Sequence, residues 1–274
     1  MTETVADAIR TAAERLAATS DTARLDAELL MAHALGLPRS RMLITMMREA
    51  PAPAFAGLVE RRAAREPVAH ITGEQEFFGL PLRVTSETLV PRGDSEVLVE
   101  AALELKPDAA RVLDLGTGTG ALLLAILSHC KAQGVATDRS SGALAVARDN
   151  AERLGLSART RFVERDWTQA GWTDGLGQFD LVLCNPPYVE DDAALEPDVR
   201  DYEPASALFA GPEGLDDYRV IIPQLGKLLN PGGVTVLEIG SSQADAVAAL
   251  ARDSGFDVTL RHDLAGRPRA LILR

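Results

Sequence analysis

Asn185-Pro186-Pro187-Tyr188 comes directly after the apolar run Phe179-Asp180-Leu181-Val182-Leu183-Cys184. Such a run reads as a buried strand of a parallel sheet. Two consecutive prolines end it, because neither donates a ladder hydrogen bond and each holds the residue before it extended. The tetrapeptide is therefore a stiff loop carrying one amide, free backbone carbonyls and one aromatic ring. In an open α/β sheet, ligands bind just outside the carboxyl ends of strands. The same residues also suit a rigid turn after a core strand, so the chemistry of the loop depends on what else reaches that edge.

A second constellation is Asp114-Leu115-Gly116-Thr117-Gly118-Thr119-Gly120-Ala121, which ends a strand and opens into a helix. Its glycines permit a tight turn and close approach of a ligand, and the helix start supplies unpaired N–H groups. Asp138 ends the next strand about twenty residues on, where a carboxylate accepts from both hydroxyls of a ribose. With Ala121 as its last residue the loop also satisfies the dinucleotide fingerprint. The glycines alone therefore leave a nicotinamide dinucleotide and S-adenosylmethionine both open. Asp114 favours S-adenosylmethionine, since a carboxylate suits a cationic amino group and repels a pyrophosphate. Asp166-Trp167, after the third strand, offers a carboxylate for the adenine amine and a ring for its face. A place in the core is the other use of Trp167.

These groups need a scaffold that brings strand ends together. From Arg111 onward, strand and helix patterns alternate, which predicts an α/β fold with a parallel sheet. The expected strands are Arg111–Leu115, Gly134–Asp138, Thr160–Glu164, Phe179–Cys184, Gly233–Ile239, Phe256–His262 and Ala270–Leu273. Helices are expected at 120–130, 141–154, 215–229 and 241–253. The last two strands are joined by Asp263-Leu264-Ala265-Gly266-Arg267-Pro268, too short for a helical crossover, so they should pair antiparallel. Residues 1–72 read instead as a small helical bundle. Its helices are expected at 4–18, at 21–36 with Asp21 as cap and Gly36 as stop, from Ser40 to Met46, and from Pro53 to Arg65. Arg61, Arg62 and Arg65 there read as a solvated face rather than a partner-binding edge. The periodicity changes from Val68. Residues 73–92 are expected to form a β-hairpin linker with Gly79-Leu80-Pro81 as its turn. Residues 93–274 then make the α/β domain, whose first helix is capped by Asp94 or Ser95.

Charge and composition exclude several classes. Residues 1–72 are balanced, nine Arg against nine Asp and Glu, so the net charge of −12 falls on residues 73–274. Phosphate binding needs clustered Lys and Arg, so direct nucleic-acid binding is not expected. The four histidines are scattered and the two cysteines, Cys130 and Cys184, lie in apolar runs, so no metal site is expected. With no signal peptide and no span of about 20 apolar residues, the expected setting is cytoplasmic, without a membrane partner.

Together, Asp-Leu-Gly-Thr-Gly-Thr-Gly and Asn-Pro-Pro-Tyr resemble the methyltransferases that modify planar amide or amino nitrogens. Three stretches narrow the resemblance to the release factor glutamine methyltransferases: Arg65 to Glu74 (Arg-Glu-Pro-Val-Ala-His-Ile-Thr-Gly-Glu), Phe77-Phe78-Gly79-Leu80-Pro81-Leu82, and Thr88-Leu89-Val90-Pro91-Arg92. His262-Asp263-Leu264-Ala265-Gly266-Arg267 adds to it, and the likeness covers essentially the whole chain. Gly93-Asp94-Ser95-Glu96 departs from the Pro-Glu-Thr-Glu more usual in the family, keeping only Glu96. The resemblance implies a seven-stranded, Rossmann-like class I methyltransferase sheet using S-adenosylmethionine and releasing S-adenosylhomocysteine. It also implies an N-terminal helical domain that helps bind the substrate protein. That substrate is a peptide chain release factor, methylated at N5 of the glutamine in its Gly-Gly-Gln loop in support of translation termination, by an enzyme expected to be monomeric.

On that reading Asp114, Gly116, Thr117, Gly118, Thr119, Gly120, Asp138, Asp166, Trp167 and Asn185 hold the cofactor. Asn185, Pro186, Pro187 and Tyr188 hold the substrate amide. An amide nitrogen is a poor nucleophile whose lone pair is delocalised, so it needs alignment more than a base. The Asn185 side-chain oxygen and the Pro186 carbonyl each accept one N–H, and Tyr188 packs on the amide plane. The alternatives are a ribosomal-protein glutamine, disfavoured by the N-terminal segments, and the exocyclic amine of adenine, disfavoured by the acidic charge.

Overall fold

Helices occupy the start of the chain because its apolar residues recur at helical spacing. In the computed structural model, which describes residues 3–274, they are α1 (Val5–Leu16), α2 (Ala23–Leu35), α3 (Arg39–Thr45), α4 (Phe55–Ala63) and α5 (Val68–Thr72). They form one compact unit, up to Glu74, that also takes in the later segment Leu195–Tyr202; Gln75–Ala194 and Glu203–Arg274 form a second. The core of the first unit holds Val5, Ile9, Leu16, Leu30, Met31, Met42 and Phe55.

Helix starts depart from the expected caps. At α1 the Thr4 side chain accepts from Asp7 N at 3.2 Å while the Asp7 carboxylate accepts from Thr4 N at 3.3 Å, a reciprocal capping box. Thr4→Ala is expected to lower stability by about 1 kcal/mol, read as a shift of the urea midpoint at constant slope. Asp21 does not cap α2. Thr22 stands at that position, and the Ser20 and Thr22 hydroxyls donate to Asp26 at 2.7 and 2.9 Å. Gly36 does end α2 in the left-handed region, at φ 64°. Pro38, not Ser40, precedes α3, because its fixed φ leads the chain into the helix. Val68–Thr72, where the periodicity changes, is a short helix after Pro67.

Arg62 is not on a solvated face. It is buried, with its Nε donating to Asp26 Oδ2 at 2.7 Å and its Nη2 3.6 Å from Asp198. Asp198 lies on α9 (Pro197–Arg200) in the returning segment, which is also held by Tyr202 Oη donating to Ala64 O at 2.9 Å. Neither of the links to that segment was visible in sequence, since each joins residues more than a hundred positions apart.

The hairpin consists of β1 (Glu74–Phe77) and β2 (Leu80–Arg83), with its turn at Phe78-Gly79 rather than Gly-Leu-Pro. Both turn residues have positive φ, 51° and 75°, the twist-matched solution for a two-residue loop. Pro81 is tolerated in β2 because both strands of a two-stranded sheet are edges. The turn is anchored by Phe78 N donating to Glu96 Oε1 at 2.9 Å, a use for the glutamate retained from the family pattern. Glu96 opens α6 (Glu96–Leu105) after a 3₁₀ turn over Gly93–Ser95, and neither Asp94 nor Ser95 caps it. Asp94 pairs instead with Arg267 and Arg269, at 3.1 and 3.0 Å.

The large sheet contains β3 (Arg111–Leu115), β4 (Gln133–Asp138), β5 (Thr160–Glu164), β6 (Phe179–Cys184), β7 (Leu229–Glu238), β8 (Val258–His262) and β9 (Pro268–Leu273). The spatial order is β5-β4-β3-β6-β7-β9-β8, parallel except for β9, which runs antiparallel to both neighbours. α7 (Ala121–His129) and α8 (Ser141–Arg153) connect the first strands. α10 (Asp216–Ile221), α11 (Leu225–Leu228) and α12 (Ala244–Asp253) connect the later ones. Expected as one helix, 215–229 is broken by a 3₁₀ turn at Pro223, which lacks the N–H to continue. Period-two alternation sends Val112, Leu181, Leu183 and Val236 to the face covered by α6 and α7, and Leu113, Leu115, Val182 and Leu237 to the face covered by α10 to α12. Cys184 is buried in the second face, whereas Cys130 is only partly covered. Among the described residues no helix is long and apolar enough to cross a membrane.

Candidate active site

The order of strands reverses between β3 and β6, which opens a crevice at their carboxyl ends. Register then decides which residues share it. Leu115 lies opposite Thr137 on one side and Cys184 on the other. Gly116, Asp138 and Asn185 therefore leave three adjacent strands side by side, and all three line one cleft.

The glycine loop is shaped by three left-handed residues, Gly116, Gly118 and Gly120, at φ 71°, 54° and 85°. Gly116 N and Thr117 N both donate to Thr137 O at 2.9 Å, which ties the loop to β4. Thr119 is held from below by Asn150, a buried amide on α8. Asn150 Nδ2 donates to Thr119 O at 2.9 Å and to Arg83 O at 3.0 Å, while its Oδ1 accepts from Arg83 N at 2.7 Å. Asn150 thus locks the glycine loop to β2, a role that a polar residue on an amphipathic helix does not advertise.

Asp138 accepts from Gly118 N at 3.0 Å and Ser140 N at 2.9 Å. Burial raises its pKa, and these backbone donors pull the other way. Asp114 is more unusual. One carboxylate oxygen accepts from Thr117 Oγ1 at 2.6 Å, and the other, Oδ1, is buried with no hydrogen-bond partner. Burial lifts its pKa to about 7. A buried, unpaired carboxylate oxygen is costly in a lone protein and suits a site that receives a cation.

Trp167 closes one side of the cleft. Its indole Nε1 donates to Asp217 Oδ1 at 2.5 Å, and its ring lies so near Gly116 that a Cβ there would be 3.0 Å from Cη2. Gly116→Ala combines this crowding with a left-handed φ and is expected to weaken ligand binding about tenfold, measured by calorimetry. Asp166 does not join Trp167 in the cleft lining. Its Oδ1 accepts from Thr168 N and Oγ1 at 2.9 and 2.7 Å, bonds that lower its pKa. The short Asp-x-Thr turn captured the carboxylate first.

Asn185 and Pro187 line the cleft and Pro186 is buried beside them. Tyr188 leaves it, packing partly buried against the core on the α10 to α12 side, with its hydroxyl 3.5 Å from Glu238 Oε1. Its backbone is pinned by Tyr188 N donating to Leu208 O at 3.2 Å and by Gln243 Nε2 donating to Tyr188 O at 3.0 Å.

The cleft also recruits residues to which sequence reasoning assigned no role. Thr88, Leu89, Pro91 and Arg92 form one wall and Pro204, Ser206 and Ala207 another. Buried Glu203 clasps the two, pairing with Arg92 and accepting from Val90 N at 3.3 Å. The stretch Thr88–Arg92 was visible only as a family-like segment leading out of the hairpin. Among the described residues no cluster of His, Cys, Asp and Glu could hold a metal ion.

This sheet order, with a glycine loop and an acidic residue on adjacent strand ends, defines a class I methyltransferase. The profile of a methyltransferase domain matches residues 106–256, and that of the PrmC N-terminal domain matches 7–73. A methyltransferase structure from Pyrococcus furiosus superposes with a TM-score of 0.51 at 19% identity, over 72% of this chain and 89% of that one. The release factor glutamine methyltransferase of Cereibacter sphaeroides is 44% identical, covering 98% of each chain. That of Caulobacter vibrioides is 41% identical over 99% of this chain and 96% of its own. The chain belongs to the release factor glutamine methyltransferase family.

Proposed function

We propose that this protein transfers a methyl group from S-adenosylmethionine to N5 of the glutamine in the Gly-Gly-Gln loop of peptide chain release factors. The observation that carries the reading is the presence of Asn185 and of the unpartnered Asp114 oxygen in one cleft, an amide acceptor and a cation acceptor. The residues fit the methyl donor: Asp114 for its ammonium, Asp138 for its ribose, and the Trp167 ring with the Gly116–Gly120 backbone for the remainder. When bound, the sulfonium supplies an electrophilic methyl group. Asn185 Oδ1 accepts one N–H of the substrate amide and Pro186 O the other, which aims the nitrogen lone pair and raises its electron density. The two prolines stiffen this pair of acceptors, so little reorganisation is needed at the moment of transfer. The proton passes from the nitrogen to water after methylation, when the nitrogen is acidic, so the chain need supply no strong base.

The helical domain of residues 1–72, joined through the linker of residues 73–92, serves in this reading to recognise the folded release factor. The acidic charge of residues 73–274 speaks against a nucleic-acid adenine as substrate. The test is to incubate the protein with labelled S-adenosylmethionine, purified release factor, ribosomal proteins and DNA, and to locate the label by mass spectrometry. Label on the Gly-Gly-Gln glutamine is expected. Label confined to another protein or to adenine overturns the assignment.

A further inference from the structure

Glu238 is a carboxylate in an unusual place. It ends β7, one residue beyond Leu237, and Leu237 lies opposite Cys184. Register therefore sets Glu238 level with Asn185 on the adjacent strand, yet it is 2% exposed and does not line the cleft. Its Oε1 is 3.5 Å from the Tyr188 hydroxyl, its Oε2 has no hydrogen-bond partner, and its backbone carbonyl accepts from Tyr218 Oη at 2.9 Å. Around it lie the buried Ser95 hydroxyl, Arg269, which also meets Asp94 at 3.0 Å and Asp263 at 3.5 Å, and Asp94 itself. Arg269 thus has two other carboxylates, so neutralising it does not require Glu238.

A buried carboxylate that costs desolvation and is not needed as a counter-ion calls for another use. Tyr188 supplies one. Gly214 leaves room for its backbone: a Cβ there would strike the Tyr188 carbonyl. With its backbone held by Leu208 and Gln243, the remaining freedom of Tyr188 is the setting of its ring. Burial first, and the Glu238 charge second, push its phenol up to about 12, so it keeps its proton as a donor.

We propose that Glu238 is a positioning residue for methyl transfer: it receives the Tyr188 hydroxyl, fixes that ring, and through it holds the Asn185-Pro186 acceptors on the substrate amide. The inference deepens the proposed function and rests on it for the identity of the substrate. An error of about 1 Å in such an alignment costs up to about a hundredfold in rate, and the long 3.5 Å contact leaves room to tighten when the site is filled.

The experiment compares Tyr188→Phe, Glu238→Gln, Glu238→Ala and the double variant Tyr188→Phe/Glu238→Ala. In single turnover with release factor, Tyr188→Phe and Glu238→Ala should each lower the transfer rate about tenfold with S-adenosylmethionine affinity unchanged. Glu238→Gln, which keeps an acceptor oxygen, should recover part of that loss. The double variant should be no slower than the worse single one, because both changes break the same contact. Multiplying effects, or a loss confined to thermal stability, overturn the proposal. A second readout needs no substrate and no Ala variant. The chain has three tyrosines, so ¹³Cζ-tyrosine labelling yields a spectrum in which Tyr188→Phe assigns the Tyr188 signal. That signal should move in Glu238→Gln, and a stationary signal overturns the contact. If wild-type protein leaves release factor unmodified, the substrate assignment fails while the spectrum still decides the pairing.

Discussion

Replacing Asn185 with alanine is expected to slow single-turnover methylation of release factor by about 10²-fold or more, with the melting temperature close to wild type. Asn185 sits one residue beyond the last paired position of β6 and is half-buried at the cleft, so removing its amide takes little from the core. What is lost is an acceptor. A substrate N–H left unpaired in an enclosed site costs about 1–3 kcal/mol, and a nitrogen free to swing adds to that. Asn185→Asp separates two roles. A carboxylate still accepts but no longer donates, and its charge attracts the sulfonium in the ground state. If acceptance were the whole role, the Asp variant would keep far more activity than the Ala variant. We expect both to be nearly inactive, because donation toward the cofactor side matters as well. Near-wild-type turnover in Asn185→Ala would remove this residue from the mechanism.

Asp114→Asn should act in two opposite directions. S-adenosylmethionine affinity is expected to fall about 10- to 100-fold, the value of a charge-assisted hydrogen bond of about 1.5–3 kcal/mol. The ligand-free protein should gain stability at neutral pH, because a buried, unpaired charge has been removed. The pH dependence has a definite sign. The folded pKa of Asp114 is raised from 3.8 to about 7, so this group favours the ligand-free fold at low pH, and that contribution is lost as pH rises toward 7. Cation binding runs the other way. The ionised carboxylate is the binding form, so wild-type affinity should drop as pH falls below about 7, approaching tenfold per unit. Calorimetry at pH 6, 7 and 8 reads both effects. An Asn variant that keeps the wild-type pH slope would show that Asp114 is not the group meeting the cation.

Much of the cleft was legible without coordinates because it is written in local rules. Glycine at every second position before a helix permits left-handed backbone where other residues would be strained, and Gly116, Gly118 and Gly120 adopt it. An apolar run stopped by two prolines must end a strand there, and β6 ends at Cys184. Strand ends are where an α/β sheet binds, so Asp114, Asp138 and Asn185 could be set at one edge before any register was known. Helix starts were less legible: Asp94 pairs with Arg267 and Arg269 instead of capping, and Asp21, Ser40 and Ser95 make no capping bond.

Residue types and their spacing by themselves determined the α/β class, the antiparallel final pair, the glycine cleft and the tetrapeptide beside it. Each arises from interactions within a few residues or from the period of apolar burial. Only the tertiary structure decided which polar groups found one another. Trp167 was taken by Asp217, Arg62 by Asp26, and Glu203 came to clasp Arg92 from more than a hundred residues away. A polar side chain in sequence has many satisfactory partners, and hydrogen-bond energies of similar size do not choose among them. The choice is made by burial: once strands are in register and their faces covered, a carboxylate such as Asp114 or Glu238 keeps only the neighbours the packing has left it.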